Sequence, residues 1–180
     1  DVNDNKKTWT NKQIVQRSCG KFRREWETSS MKEKSYTPEN YPILRYGDVL
    51  LMLAEAENEA HQGPTDLAYE CINEIRQRAG ISKLEGLSYT DFQQAVRDER
   101  ARELCFESLR KYDLVRWGIY VEAVHDKLGA ATQDKRWATG NQFIGARDYA
   151  ARTQEKHQFL PIPTKELDVN GKLEQNKYWQ

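Results

Sequence analysis

Long apolar runs are missing from this chain of 180 residues. The longest apolar stretch, from Val49 to Ala54, is far shorter than the roughly 18 residues that a membrane-spanning helix needs. An excess of one charge is also missing, because 28 basic side chains balance 28 acidic ones. A chain with no net charge does not attract phosphate, which argues against a nucleic-acid partner.

Cysteine and histidine are scarce. The cysteines are Cys19, Cys71 and Cys105, and the histidines are His61, His125 and His157. Three widely separated cysteines do not form a disulfide framework, and we expect Cys71 and Cys105 to lie on apolar helix faces as small hydrophobic groups. No close Cys and His spacing suggests a metal site, so we expect no metal.

Motifs for nucleotide binding and nucleophilic catalysis are also absent. The segment 140–145 lacks the lysine of a P-loop, and no G-x-S-x-G elbow occurs. Glu99 and Glu103 are one helical turn apart and invite comparison with the acid and base of a glycoside hydrolase. Arginines surround them in the sequence, and a carboxylate paired with arginine has a lowered pKa, which does not suit a general acid. We therefore favour structural ion pairs and expect no enzyme activity and no cofactor.

The N-terminal part is polar and poor in helical periodicity. Residues 1–7 contain no apolar signal region, lipidation cysteine or methionine, so we expect a fragment of a longer protein. Pro38 and Pro42 exclude a helix around them, and residues 1–42 are predicted to form an extended lead-in.

Helical periodicity begins after Pro42. It predicts helices at 43–61, 66–79 and 90–108, the third opened by a capping box at Thr90. Residues 111–128 are predicted to form a fourth helix, or to continue the third helix after a kink, with Gly118 as a weak point. Gly80 predicts a Schellman stop to the second helix. Short connections predict two helical hairpins, whose spacing of about 45 residues is longer than the 34 of a tetratricopeptide unit, and no alternation long enough for a sheet occurs.

The C-terminal part reads differently. Residues 129–158 lack clear periodicity and predict a long irregular loop. The segment 159–163 is apolar and rigid, Thr164 can cap a short helix, and we expect this tail to dock on the bundle. The predicted fold class is therefore all-α, in one domain made of a lead-in (1–42), two hairpins (43–128) and a loop with a docked tail (129–180).

A stripe at helical spacing combines aromatic and charged side chains. Its members are Phe92, Val96, Glu99, Glu103, Phe106, Arg110, Asp113 and Trp117. Steps of four and three residues place such a set on one side of a helix. We predict a helix packed on both sides, whose charges are held by partners on neighbouring helices.

Aromatic residues are the remaining candidates for ligand binding, with 5 Trp, 9 Tyr and 5 Phe. A flat ring beside hydroxyl or amide groups can stack on the C–H face of a sugar while hydrogen bonds hold its hydroxyls. From the rings outside the predicted helices we take six candidates, Trp9, Trp26, Tyr36, Tyr41, Trp137 and Tyr149. Each of them could instead cover the core. We select Trp137, Tyr149 and Trp9 as predicted carbohydrate contacts.

Four ordered segments resemble SusD/RagB-type outer-membrane nutrient-binding lipoproteins. They are RYGDVLLMLAEA at 45–56, INEIRQRAG at 72–80, ERARELCFESLRKYDLVRWG at 99–118 and FLPIP at 159–163. The family usually has glycine where Ser108 stands. The resemblance covers the C-terminal part of that family's longer proteins.

The resemblance implies the C-terminal part of a SusD-like fold, with helical hairpins of tetratricopeptide-like type and long irregular loops, and a binding function without catalysis. It implies an oligosaccharide ligand, or a peptide in some members, and a SusC-like TonB-dependent transporter as partner. It also implies the cell surface of the outer membrane, with membrane contact only through an upstream lipid anchor absent from this chain. A scaffold segment that docks on the transporter without touching ligand is the alternative. The resemblance further implies that the charged residues of the stripe join Arg45, Asp48 and Glu55 in an interhelical charge lattice.

Overall fold

The computed structural model describes residues 20–28, 37–130 and 141–180. Within these ranges the chain is helical and contains no strand, which confirms the all-α class. The α-helices are α1 (Tyr46–His61), α2 (Asp66–Arg78), α3 (Tyr89–Glu103), α4 (Arg110–Arg116), α5 (Asn141–Arg152) and α6 (Thr164–Val169). A π-helical segment covers Glu122–Leu128, and 3-10 turns cover Arg24–Trp26 and Glu155–Gln158. The contacts fall into two compact units that divide after Arg110.

In the first unit, α1, α2 and α3 enclose one apolar core. Thr65 caps α2, since its Oγ1 accepts a hydrogen bond from the Ala68 N–H at 3.1 Å. Gly80, at φ 73°, ends α2 in the predicted Schellman motif, with the Ile81 N–H donating to the Arg76 carbonyl at 2.9 Å. The buried side chains are Leu50, Leu51, Ala54, Ala68, Cys71, Ile72, Ile75, Phe92 and Val96.

The start of α3 differs from the prediction. Its cap is Ser88, whose Oγ accepts from the Asp91 N–H at 3.2 Å, so the capping box predicted at Thr90 is wrong by two residues. Ser88 and Asp91 are three residues apart, as are Thr90 and Gln93, so the spacing alone does not decide between the two caps. The first helix also begins late, at Tyr46, because Arg45 is extended at φ −141°.

The end of α3 interrupts the predicted stripe. Phe92, Val96 and Glu99 are buried as expected, but α3 ends at Glu103 and Phe106 is 65% exposed. Phe106 and Ser108 both adopt positive φ, of 65° and 62°, and this turn shifts the phase of the pattern. Leu104 and Glu107 are buried in place of Phe106, and Arg110 is exposed, donating to the Arg97 carbonyl at 3.2 Å. Cys105 lies in the same turn and is exposed, contrary to the prediction.

The second unit contains the largest departure from the sequence prediction. Residues 141–152 form α5 where an irregular loop was predicted. Ala150 is the residue buried among those of α5 whose burial the structure describes, so the helix carries no apolar stripe that a pattern search would detect. The predicted fourth helix stops at α4, because Gly118 at φ 70° breaks it at the expected weak point. Beyond the break, Tyr120 and Val124 pack with Leu114 in a small second core.

The predicted charge lattice is present in the first unit, centred on Arg45. Its guanidinium donates to Glu103 Oε1 at 2.6 Å and to Glu107 Oε2 at 2.7 Å, joining the start of α1 to the end of α3. Lys21 binds the Glu103 carbonyl at 2.6 Å and also the Glu107 carboxylate. Arg78 of α2 binds Glu103 from a third direction.

Two further ion pairs cross between helices of the same unit. Arg100 donates to Asp48 at 2.8 Å with both side chains buried, and Arg76 donates to Glu99 at 2.8 Å. These pairs confirm Glu99, Glu103, Arg45 and Asp48 as members of the lattice. Asp113 is buried but accepts from Arg116 of its own helix, and the place of Glu55 in the lattice stays a prediction.

Replacing Ser108 by glycine should stabilise the protein. A residue with a Cβ at φ 62° is strained by roughly 1–2 kcal/mol, part of which is offset by the greater freedom of glycine in the unfolded chain. We expect Ser108→Gly to raise the free energy of unfolding by about 0.5–1 kcal/mol in urea denaturation. Gly118→Ala is the reverse control, since an added Cβ meets only open space at φ 70° and should cost about 1 kcal/mol from backbone strain alone. If both variants changed the free energy of unfolding in the same direction, strain at positive φ would not be the cause.

The Glu107 carboxylate should make stability depend on acid pH. Burial alone would raise the pKa of Glu107, but hydrogen bonds from Arg45 and Lys21 outweigh it and hold the pKa below its ordinary 4.5. Because the folded pKa is lowered, this stabilisation is present above pH 4.5 and is lost as pH falls below that value. Glu107→Gln should reduce unfolding free energy at neutral pH by about 1.5–3 kcal/mol and reduce the further loss in acid.

Glu25→Gln is the matched control for that change. Glu25 pairs with Arg23 at 2.7 Å, but both side chains are exposed, so its removal should cost less than about 1 kcal/mol. An equal loss in both variants across the pH range would show that the burial of the Glu107 pair is irrelevant.

Candidate ligand-binding site

One face of α5 lines a cleft in the second unit, called here the Tyr149 cleft. Gly145, Asp148, Tyr149 and Arg152 follow one another at helical spacing and all border it. Its volume is about 470 Å³, within the roughly 300–1,000 Å³ that small-molecule sites usually have. The face of α5 that a core helix would fill with leucine is therefore turned toward a cavity.

The opposite wall is the apolar tail segment 159–163. Its two prolines have no backbone N–H group, and side chains near the end of the chain form hydrogen bonds with other backbone groups of the segment. Gln175 both accepts from the Ile162 N–H at 2.9 Å and donates to the Ile162 carbonyl at 3.0 Å. Asn176 donates to the Leu160 carbonyl at 3.0 Å. These amide contacts hold an extended segment in one position without a sheet.

Trp179 adds the largest ring to this wall. Its indole N–H points to the carbonyls of Phe159, at 3.0 Å, and Lys156, at 3.1 Å. His157 meets the indole edge-on at 6.2 Å between ring centroids, while Phe159 stacks on Tyr178 at 5.1 Å. Because each ring is fixed by a hydrogen bond or a neighbouring ring, the wall is organised before any ligand binds.

Two tyrosine hydroxyls meet in the cleft. Tyr120 is 2% exposed and Tyr149 is 51% exposed, and their hydroxyl oxygens share a hydrogen bond. Burial, followed by the hydrogen bond to Tyr149, raises the pKa of Tyr120 to about 12. Tyr120 therefore keeps its proton at physiological pH, and its hydroxyl can donate or accept a hydrogen bond beside the exposed ring of Tyr149.

The cleft also holds charged groups. Lys111 Nζ lies 5.6 Å from the centroid of the Tyr120 ring, and Arg152 and Asp148 border the cleft from α5. The cleft is therefore lined by an aromatic ring face, two hydroxyl groups and charged side chains, which are the kinds of group that line small-molecule binding sites.

The carboxylates considered for catalysis belong to the first unit. Glu99 is held by Arg76, and Glu103 is held by Arg45 and Arg78, so both are ion-paired as expected. Most of these partners come from the residue before α1 and from α2, and one neighbouring arginine, Arg102, also lies 3.7 Å from Glu99 Oε2. Within residues 20–28, 37–130 and 141–180, no group of His, Cys, Asp and Glu is arranged to hold a metal ion. None of the helices in these ranges has the length and apolar character to cross a bilayer.

Of the three predicted contact residues, the structure places Tyr149 in this cleft. Trp137 and Trp9 lie outside the described residues, so their roles stay predictions. Sequence reasoning missed Trp179 and Phe159, although both flank the segment 159–163 that was recognised as rigid. It also missed Tyr120, because a tyrosine inside a predicted helix was assigned to the core.

Comparison with known proteins gives one consistent result. The sequence model of the SusD family matches residues 2–179. A SusD-like protein of Formosa agariphila is 40% identical over 139 residues, which are 75% of this chain and 23% of the relative. A second SusD-like protein of the same organism is 29% identical over 148 residues, or 76% of this chain and 25% of that protein. The chain thus spans about a quarter of the length of these curated relatives.

Solved structures agree with the sequence matches. The crystal structure of a SusD homolog from Bacteroides thetaiotaomicron superposes with a TM-score of 0.68 at 37% identity, over 85% of this chain and 30% of that one. A SusD superfamily protein from Bacteroides vulgatus superposes with a TM-score of 0.58 at 31% identity, over 81% and 28% of the two chains.

Proposed function

The chain belongs to the SusD family, and from that premise we propose that it is part of a cell-surface protein that binds oligosaccharides for uptake. The observation that carries the proposal is the Tyr149 cleft, where an exposed tyrosine ring faces a wall containing Phe159 and Trp179. A sugar has an apolar C–H face and a hydroxyl edge, and this cleft offers a counterpart to each.

Binding by this site requires no chemistry. The Tyr149 ring stacks on a sugar face, and the hydroxyls of Tyr149 and Tyr120 exchange their mutual hydrogen bond for bonds to sugar hydroxyls. Each exchanged bond is worth about 1 kcal/mol, so affinity for a single sugar is low and longer oligosaccharides bind through several such contacts. Weak, reversible binding suits a protein that hands its ligand on, and we propose no enzymatic step.

The partner that we propose is a SusC-like TonB-dependent transporter, and the location is the outer face of the outer membrane. In this arrangement the protein is held at the membrane by a lipid anchor outside these residues. A peptide ligand is the alternative within the same binding role, and a scaffold segment that docks on the transporter is the alternative without one.

A steric block of the cleft tests the proposed site. A Cβ added at Gly145 meets nothing within 4 Å and Gly145 borders the cleft, so we expect the side chain of Gly145→Leu to occupy cleft volume. We expect it to lower oligosaccharide affinity by about tenfold or more in isothermal calorimetry, while helix propensity improves. Ala151→Leu is the matched control, because Ala151 is exposed on α5 and does not border the cleft. Full binding by Gly145→Leu would remove the cleft from the ligand path.

Truncation of the rings separates ligand capture from scaffolding. The double change Trp137→Ala with Tyr149→Ala should weaken oligosaccharide binding by about tenfold or more and leave co-purification with the transporter intact. Lost assembly with retained ligand binding would favour the scaffold role instead. Heat released with peptides but with no oligosaccharide of a broad panel would transfer the proposal to a peptide ligand.

A further inference from the structure

Two cations of the Tyr149 cleft have no carboxylate partner within the part of the chain that the structure describes, unlike the arginines of the charge lattice. Arg45, Arg76, Arg78 and Arg100 each bind an acidic side chain. Among the described residues, by contrast, neither Lys111 nor Arg152 forms an ion pair, although both border the cleft. What distinguishes Lys111 and Arg152 from other cations without an ion pair is that both border the cleft.

Arg152 has no salt bridge to any described residue, even though Asp148 lies about one helical turn from it. The two residues are four apart on α5, the spacing at which Asp and Arg commonly form a salt bridge on a helix. The structure contains no bridge between them, and both side chains border the cavity. The guanidinium of Arg152 therefore keeps its five donors available to a group that enters the cleft.

Lys111 occupies the other part of the wall. Its ammonium lies 5.6 Å from the Tyr120 ring centroid, a distance at which the ring face attracts a cation and restricts where it lies. Tyr120 is itself buried and bonded to Tyr149, so Lys111, Tyr120 and Tyr149 form a connected series along the cleft. A second cation thus lies over the ring of one of the two tyrosines that would bind a sugar.

Given the proposed function, on which this step rests, we propose that the Tyr149 cleft selects an anionic oligosaccharide, with Arg152 and Lys111 binding its acidic groups. The acidic group is a carboxylate of a uronic acid or a sulfate ester, both of which accept charge-assisted hydrogen bonds from guanidinium and ammonium groups. The single cleft carboxylate, Asp148, accepts from sugar hydroxyls and disfavours an acidic group in its own position. A neutral sugar of the same shape makes the ring and hydroxyl contacts but leaves both cations unpaired.

Calorimetry with matched probes tests this selection. The first pair is a galacturonic acid oligosaccharide and its methyl ester, which differ in the negative charge of the carboxylate. The second pair is a sulfated galactan oligosaccharide and its desulfated form. We expect at least one acidic probe to bind about tenfold or more tightly than its neutral counterpart. The pair that shows the difference identifies carboxylate or sulfate as the source of the charge.

Variants assign the effect to the two cations. Arg152→Gln and Lys111→Gln should each weaken the acidic probe by about fivefold to tenfold and change the neutral probe by less than about twofold. Arg147→Gln is the matched control, since Arg147 is an exposed arginine of α5 that does not border the cleft. Raising NaCl from about 50 mM to about 500 mM should reproduce the loss for the acidic probe alone, because salt screens exposed charges.

The outcomes separate this proposal from the proposed function. Equal affinity of acidic and neutral probes, with both lost in Gly145→Leu, overturns the anionic selection and leaves oligosaccharide capture in place. An equal loss in Arg152→Gln and Arg147→Gln also overturns it, since the effect is then one of net charge. If none of the four probes binds, and no oligosaccharide of the broader panel responds to Gly145→Leu, both proposals fall.

Discussion

The hydrogen-bonded ion pairs of Arg45 with Glu103 and Glu107 are the interaction on which the helix packing of the first unit depends. Arg45 precedes α1 in extended conformation, and both acceptors lie at or just beyond the end of α3, so one guanidinium fixes a helix start against a helix end. Gly47 leaves the room for it, because a Cβ there would lie 2.7 Å from Arg45 Nη1. Burying part of a guanidinium costs free energy unless most of its donors are hydrogen-bonded. The turn after α3 places Glu107 where it accepts two of these hydrogen bonds. Ser108 and Phe106 adopt positive φ as part of the same turn.

The second unit is built on a different principle. Its core of Leu114, Tyr120 and Val124 is small, and amide side chains near the C-terminus hold the apolar segment 159–163 instead of a deep apolar layer. A wall organised by hydrogen bonds and stacked rings keeps aromatic surface at a cavity that a larger core would have covered. The small core of this unit thus leaves the aromatic surface of the proposed binding site uncovered.

The accuracy of the sequence prediction differs from helix to helix. The hairpin of α1 and α2 was predictable because its apolar positions follow the helical period and Thr65, Gly80 and the short connection each agree with it. Helix α5 was not predictable, because its functional face carries glycine, charge and one tyrosine where a periodic pattern requires apolar residues. The stripe through Phe92 continued correctly to Glu103 and then failed, since a turn with positive φ resets which side chains face inward.

The sequence by itself determined the all-α class, the family, the first hairpin and the paired character of Glu99 and Glu103, because these depend on local spacing and on residue types that have few alternatives. Tertiary structure alone decided which arginines pair with those carboxylates, since the partners come mainly from helices distant in sequence. It alone also brought Tyr120, Tyr149 and Trp179 to one cleft. The physical reason is that helical period reports which side of a helix is buried, whereas the identity of the neighbour depends on how separate segments pack.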